Sequence, residues 1–156
     1  MDRKKLVSQL MTREVFTLNP KDPMSKAREL FEAHLFHHVP VLEDEQVVGI
    51  LSKSDYAKLL HGFTLFQTRS SETYNETVFR SILVGEVMSS PVITVNPDDT
   101  VELAARIFRE NLFHALPVVD KQSRLLGMLT PYDLLEYAFS DPPELLEDKE
   151  KASRES

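Results

Sequence analysis

The sequence predicts an α+β fold built from two successive β-α-β-β-α units. Three observations predict it. Offsetting the 156-residue chain against itself by 77 positions aligns Val7–Val41 with Val84–Val118 and gives 14 identities in 35 positions. Within each copy, short β-branched runs bounded by turn residues alternate with stretches whose apolar residues recur at helical spacing. Past the hairpin the offset becomes 78, so that Gly49/Gly127, Leu51/Leu129 and Asp55/Asp133 align. That one-residue change falls among the polar residues of Glu43–Gln46 and Asp120–Arg124, where a turn absorbs it.

Each unit opens with a short strand, Val15–Leu18 or Val92–Val95, that ends at an Asn-Pro turn. A helix follows. Asp22 before Pro23 reads as its N-cap in the first copy, and Asp99 with Glu102 as a capping box in the second. Met24, Ala27, Phe31 and Leu35, matched by Val101, Ala104, Phe108 and Leu112, are spaced to lie on one buried face. Two strands joined by the polar turn come next, His38–Leu42 with Val47–Leu51 and Ala115–Val119 with Leu125–Leu129. A second helix then starts at Asp55 or Asp133. A crossover helix makes the first two strands of a unit parallel, and the tight turn makes the third antiparallel.

Residues 1–60 form the first repeat, 61–83 a linker, 84–139 the second repeat and 140–156 a tail. The linker contains a short amphipathic helix, with Tyr74, Val78 and Ile82 four apart and Thr73 and Glu76 spaced as a capping box. It reads either as a packed connection or as a lid or dimer contact. The tail, with six acids, three bases and a proline pair, reads as frayed or disordered.

Composition removes several function classes. A chain with 42% hydrophobic residues can bury a full core without covalent staples. The absence of cysteine excludes disulfides, thiolate metal sites and thiol nucleophiles, and fits a reducing, cytoplasmic setting. The charged N-terminus lacks the apolar core of a secretory signal, and no run reaches the roughly 20 apolar residues of a membrane helix. A formal charge of −7 opposes a phosphate backbone and gives no footprint for nucleic acid. The four glycines form neither a dinucleotide fingerprint nor a P-loop. Asp55 and Asp133, as mates in a repeat, serve equivalent positions rather than one acid/base reaction, so no enzyme is expected. His34, His37 and His38 do not make a metal site by themselves, because adjacent strand residues point to opposite faces.

The repeated pattern carries a family resemblance. It includes Leu10-Met11-Thr12 near the start, Val-x-Thr leading into Asn-Pro, and the His-x-x-Pro-Val strands. It also includes Gly49-Ile50-Leu51-Ser52-Lys53-Ser54-Asp55 and Gly127-Met128-Leu129-Thr130-Pro131-Tyr132-Asp133. Over about residues 7–60 and 84–139 the chain resembles a tandem CBS-domain pair. The resemblance implies two sheets related by a pseudo-twofold axis, with clefts between them that in many relatives hold AMP, ADP, ATP, S-adenosylmethionine or a cyclic dinucleotide such as cyclic di-AMP. It also implies a homodimer formed through helices.

The site centres on Ser52-x-x-Asp55 and Thr130-x-x-Asp133, each at a strand-to-helix junction. An ionised Asp only accepts hydrogen bonds, so it can take both protons of a ribose cis-diol, the role the resemblance implies for it. The Ser52 or Thr130 hydroxyl and the helix N–H groups can receive phosphate oxygens. The same spacing is also a capping box that requires no ligand, and the two readings coexist. The resemblance puts adenosine contacts at Thr17 and Thr94, which otherwise read as ordinary strand threonines. It puts a phosphate-contacting histidine at His37 and His114, either of which otherwise reads as a strand-end residue satisfied by backbone. His38 follows where relatives often have Arg, while the second copy has Ala115; Lys53 adds a positive charge where the second copy has Pro131. The two sites are therefore expected to differ. The expected function is a non-catalytic module that takes an adenine nucleotide as regulatory ligand and no cofactor. With no output domain in this sequence, the expectation is that it acts in trans on a separate regulated protein, or else that it buffers or senses a nucleotide by another route. The alternative is a ligand-independent dimer serving as an interaction scaffold.

Overall fold

The computed structural model describes residues 2–64, 71–111 and 113–140. Helix α1 spans Met24–Ala33, followed by strands β1 (His38–Glu43) and β2 (Gln46–Ser52) and helix α2 (Lys53–Thr64). Helices α3 (Ser71–Ser81) and α4 (Val84–Val87) lead into the second unit. That unit comprises α5 (Val101–Asn111), β3 (Leu116–Val119), β4 (Leu125–Leu129) and α6 (Pro131–Phe139). The tail from 141, Leu112 and the side chains of Thr73 and Tyr74 lie outside the described residues.

The two units are the expected β-α-β-β-α repeats, with β1 antiparallel to β2 and β3 antiparallel to β4. Each pair carries a register shift at the same place, between Val41 and Leu42 and between Val118 and Val119. The opening strand of each unit is shorter than the sequence suggests. It contributes one parallel bridge, Leu18 to Val41 or Val95 to Val118. Leu18 N–H donates to the Pro40 carbonyl at 3.1 Å and the Leu18 carbonyl accepts from Leu42 N–H at 2.7 Å; Val95 does the same with Pro117 and Val119 at 3.1 and 2.9 Å. The β1–β2 turn places Asp44 and Glu45 at φ 49° and 66°, the left-handed pair that a two-residue hairpin needs to match strand twist. The longer turn of the second unit is held by Asp120, whose Oδ1 accepts from the Gln122 and Arg124 N–H groups, each at 2.9 Å.

Helix starts differ from expectation. Asp22 does not cap α1: its Oδ2 accepts from Asn19 N–H at 2.8 Å and closes the Asn-Pro turn, as Asp99 does for Asn96 at 2.7 Å. The first N–H of each helix is met by a distant carbonyl instead, Met24 by Ile82 and Val101 by Lys5, both at 2.8 Å. Thr100 adds a side-chain bond from Leu103 N–H at 3.3 Å. Leu35 is also corrected. α1 ends at Ala33 and His34 is extended, so Leu35 falls beyond the helix and is 93% exposed.

The segments preceding each unit are exchanged. Val7 and Met11 pack with Val95, Ala104, Phe108, Leu116, Val118 and Leu129 of the second unit. Val84 sits with Leu18, Met24, Phe31, Val41 and Leu51 of the first. The hydrogen bonds repeat at the 77-residue period: Val7 N–H to Asp99 carbonyl and Val84 N–H to Asp22 carbonyl, both at 2.8 Å. Thr12 pairs with Met128 and Ser89 with Ile50. At the opposite end the hairpin tips meet, with Val47 N–H donating to the Ser123 carbonyl at 3.0 Å. The two repeats are thus bound by reciprocal insertion of core residues. Among the described residues, no polar or charged residue is fully buried. Among them also, no helix is long and apolar enough to cross a membrane.

Candidate functional site

Both strand-to-helix junctions form capping boxes. Thr130 precedes α6; Asp133 Oδ2 accepts from Thr130 N–H at 2.6 Å and from its hydroxyl at 2.7 Å, while Asp133 N–H donates to Thr130 Oγ1 at 3.4 Å. At α2, Ser52 Oγ accepts from Asp55 N–H at 3.0 Å, and its hydroxyl donates to Asp55 Oδ2 at 2.5 Å. Asp55 Oδ1 lies 3.5 Å from the largely exposed Lys58 ammonium. One carboxylate oxygen of each Asp is therefore committed to starting its own helix.

The two junctions converge on a cleft of about 1010 Å³ between the repeats. Of the expected site residues, His37, His38, Ser52, Lys53, His114 and Thr130 line it together. Thr17, Thr94, Asp55 and Asp133 do not line it. Thr17 and Thr94 stand beside the bridge residues Leu18 and Val95 and are half-buried. Lys53 and Pro131, which the sequence assigns to separate sites, face the same cleft.

Pattern reading missed part of the wall. Thr12, Glu14, Val15 and Phe16 enter because the exchanged lead segment passes the Thr130 junction. Phe16, His34 and Phe36 pack as a triangle, with ring centroids 4.3 Å apart for Phe16 and His34, 5.1 Å for His34 and Phe36, and 5.5 Å for Phe16 and Phe36. This makes an aromatic rim beside the imidazoles. The repeated Leu-Phe-His triplet was a signal for Phe36; nothing local marked Glu14 or Phe16.

Histidine pairing also differs from the alignment. His37 and His114 are repeat mates, yet it is His38 that stacks against His114, with centroids 6.1 Å apart and planes 8° from parallel. His38 is partly buried whereas His37 and His114 are exposed. Burial holds the His38 imidazole below its ordinary value; the nearby His114 and His37 push the same way, against Asp55. A neutral His38 can donate or accept one hydrogen bond at the cleft wall. The Lys53 ammonium reaches the Phe31 carbonyl at 3.4 Å, a weak bond it can exchange for a ligand. The starts of α2 and α6 bring the positive ends of two helix dipoles to the cleft. The wall can thus hold a flat apolar group at the aromatic rim and hydrogen-bond a polar or anionic group between the helix starts.

Comparison with known proteins gives the same architecture. The CBS domain model matches residues 7–62 and 84–140. A CBS domain-containing protein of Dictyostelium discoideum is 32% identical over 134 residues, covering 85% of this chain and 90% of that protein. The uncharacterized protein MJ1225 of Methanocaldococcus jannaschii is 28% identical over 88% of this chain, and its crystal structure superposes with a TM-score of 0.75. This chain spans 48% of MJ1225, and about a quarter of other curated relatives it matches. The crystal structure of CBSX2 in complex with AMP is 26% identical, with a TM-score of 0.70 and coverage of 85% of this chain and 95% of that one; CBSX2 is from Arabidopsis thaliana. The chain belongs to the CBS-domain family, as a tandem pair, and such a pair is a regulatory module rather than a catalytic one.

Proposed function

We propose that this CBS pair binds an adenosine-containing nucleotide in the cleft between its repeats and transmits occupancy in trans to a partner protein. The convergence of both strand-to-helix junctions and three histidines on one cleft carries the reading. The AMP bound by CBSX2, a relative at 26% identity, supports the ligand class. The base lies against the Phe16–Phe36 rim. The polar end lies among His37, His38, His114, Lys53 and the helix starts. Asp55 and Asp133 stand behind the lining residues Ser52 and Thr130, so a ribose meets an Oδ1 only where the nucleotide seats against that junction, with Oδ2 keeping the cap; Thr17 and Thr94 lie behind the wall beside the opening bridges. Glu14, facing the same cleft, disfavours dense negative charge, so AMP or S-adenosylmethionine suits the wall better than ATP. Two such modules pair as a homodimer.

A ligand shifts only states that it binds unequally. Because its wall comes from both repeats and an exchanged segment, occupancy of this cleft favours one relative packing of the repeats, and the partner reads that packing. The second reading, a ligand-independent scaffold, draws on the capping boxes: Asp55 and Asp133 already have a structural task without a ligand.

Thermal denaturation of the full chain with AMP, ADP, ATP, S-adenosylmethionine and cyclic di-AMP tests the proposal. A ligand at 100 times its dissociation constant adds about 2.7 kcal/mol of stability. The double variant Asp55→Asn/Asp133→Asn keeps a cap acceptor and removes the charge, so it should fold but lose most of the ligand-induced shift. If no adenosine ligand raises the melting temperature at millimolar concentration, the sensor reading fails and the scaffold reading replaces it.

A further inference from the structure

One contact between the repeats breaks their symmetry. His38 opens β1, His114 lies just before β3, and their rings stand 6.1 Å apart with planes 8° from parallel. The 77-residue offset pairs His37 with His114 and His38 with Ala115, so the pseudo-symmetric counterpart of this contact would join Ala115 to His37. Ala115 has no ring, and the contact therefore has no symmetry mate.

Both rings line the cleft between the repeats, together with His37 and Lys53. His38 is partly buried and His114 exposed. Charged groups reach them from each packed element. Lys53 and Asp55 approach from the start of α2, Glu14 from the exchanged lead segment and Asp133, behind Thr130, from the start of α6. Arg109 of α5 lines the groove on the far side of His114. Asp55 favours a charged His38, but its Oδ1 lies 3.5 Å from the Lys58 ammonium and its Oδ2 holds the Ser52 cap. Burial and the two neighbouring imidazoles act the other way, so His38 stays neutral in the free cleft at pH 7.

An anion between the rings reverses that balance. An imidazolium donates from both nitrogens, whereas a neutral imidazole keeps one as an acceptor, and the imidazolium bond to an ionised phosphate is charge-assisted. One proton suffices, because a second would put like charges on two rings 6.1 Å apart.

We propose, on the reading of the cleft as a nucleotide site, that His38 and His114 form a proton-linked anion subsite, in which the phosphate of a nucleoside monophosphate and one proton bind together across the two repeats. Binding takes up a proton, so affinity for the phosphorylated ligand rises as pH falls towards about 6.5, where histidine titrates. An unphosphorylated nucleoside gains nothing from the proton. Because each repeat supplies one ring, the proton and the anion together favour one relative packing of the repeats.

Titration calorimetry of the full chain with AMP and with adenosine, between pH 8 and pH 6.5, tests this. The lower limit keeps the AMP phosphate mostly dianionic, since its second proton comes off at about pH 6. AMP should bind at least about threefold tighter at pH 6.5 than at pH 8, under a ceiling of about tenfold per pH unit for one proton, while adenosine should change by less than about 1.5-fold. Heats measured in two buffers of different ionisation enthalpy should show protons taken up with AMP and none with adenosine. His38→Gln should abolish the pH slope. Lys53→Gln, which removes a fixed charge, should weaken AMP at every pH and keep the slope. A slope for AMP no steeper than that for adenosine, or one that survives His38→Gln, overturns the proposal and leaves the nucleotide reading standing. Failure of both AMP and adenosine to bind overturns it too, and thermal denaturation with the other adenosine ligands then decides the nucleotide reading by itself.

Discussion

Replacing Gly127 by alanine tests whether the lead segment of the first repeat is structurally part of the second. A Cβ at Gly127 would stand 2.7 Å from the Thr12 carbonyl oxygen and 2.9 Å from Met11 Sδ. The thioether can rotate away, but the carbonyl is backbone and moves only if the Thr12–Met128 pair opens. That pair holds two hydrogen bonds, at 2.9 and 2.8 Å. Losing both costs about 2 kcal/mol at about 1 kcal/mol each, and the overpacking adds about 1–3 kcal/mol. Against this, alanine lowers the entropy of the unfolded chain, returning about 0.4–1 kcal/mol. The net expectation is a loss of about 2–4.5 kcal/mol. The repeat mate Gly49 is the control: the three atoms nearest a Cβ there all belong to the Met88 side chain, which is unbranched and can rotate, so Gly49→Ala should cost about 1 kcal/mol. Urea unfolding followed by circular dichroism separates the two. With a slope of about 2 kcal/mol per molar, Gly127→Ala should lower the midpoint by about 1–2 M. A Gly127→Ala protein within about 0.5 kcal/mol of the parent, or less affected than Gly49→Ala, would refute the reasoning. Thr12 also lines the cleft, so the same substitution should weaken nucleotide binding.

Phe79→Ala should cost about 3–5 kcal/mol, because it empties a buried aromatic contact with Tyr56 and releases α3 from the first repeat; a loss under about 1 kcal/mol in chemical denaturation would contradict that packing. His38 gives the chain a dependence on acid. As pH falls through about 6.5 the unfolded imidazole takes up a proton while the folded one stays neutral, so stability present above that pH is lost below it. In melting curves from pH 7.5 to 5, His38→Gln should flatten that part of the profile, and an unaltered profile would exclude His38 as its source. Glu45→Gly should stabilise the chain by about 1 kcal/mol, because it removes a side chain from φ 66° in the hairpin turn; a lower melting temperature would contradict that turn geometry.

Much of the site was legible because it is local. Ser52, Asp55, Thr130 and Asp133 are three residues apart across a strand-to-helix junction, and that spacing suffices to predict both capping boxes. The repeat likewise revealed the hairpins, since a polar turn between two apolar runs has one simple pairing. Asp22 misled because its carboxylate has other local partners: Oδ2 accepts from Asn19 N–H and from the Lys26 ammonium on α1 instead of capping that helix's first backbone N–H groups. Leu35 misled because apolar periodicity carries on past the residue where the helix stops.

Spacing along the chain was enough to read the duplication, the α+β content, the helix faces apart from Leu35, and the residue types at the two junctions. These follow from spacing along the chain, which a repeat states twice. Tertiary structure decided which repeat each lead segment completes, because a 77-residue period is equally consistent with Val7 packing in its own unit or in the other. It also decided that His38, not His37, meets His114, since repeat alignment relates equivalent positions whereas contact across the repeats joins unlike ones. The cleft is the sum of those two outcomes. Its wall combines Thr12–Phe16 with both junctions, residues that share no local pattern and become neighbours only through the exchange.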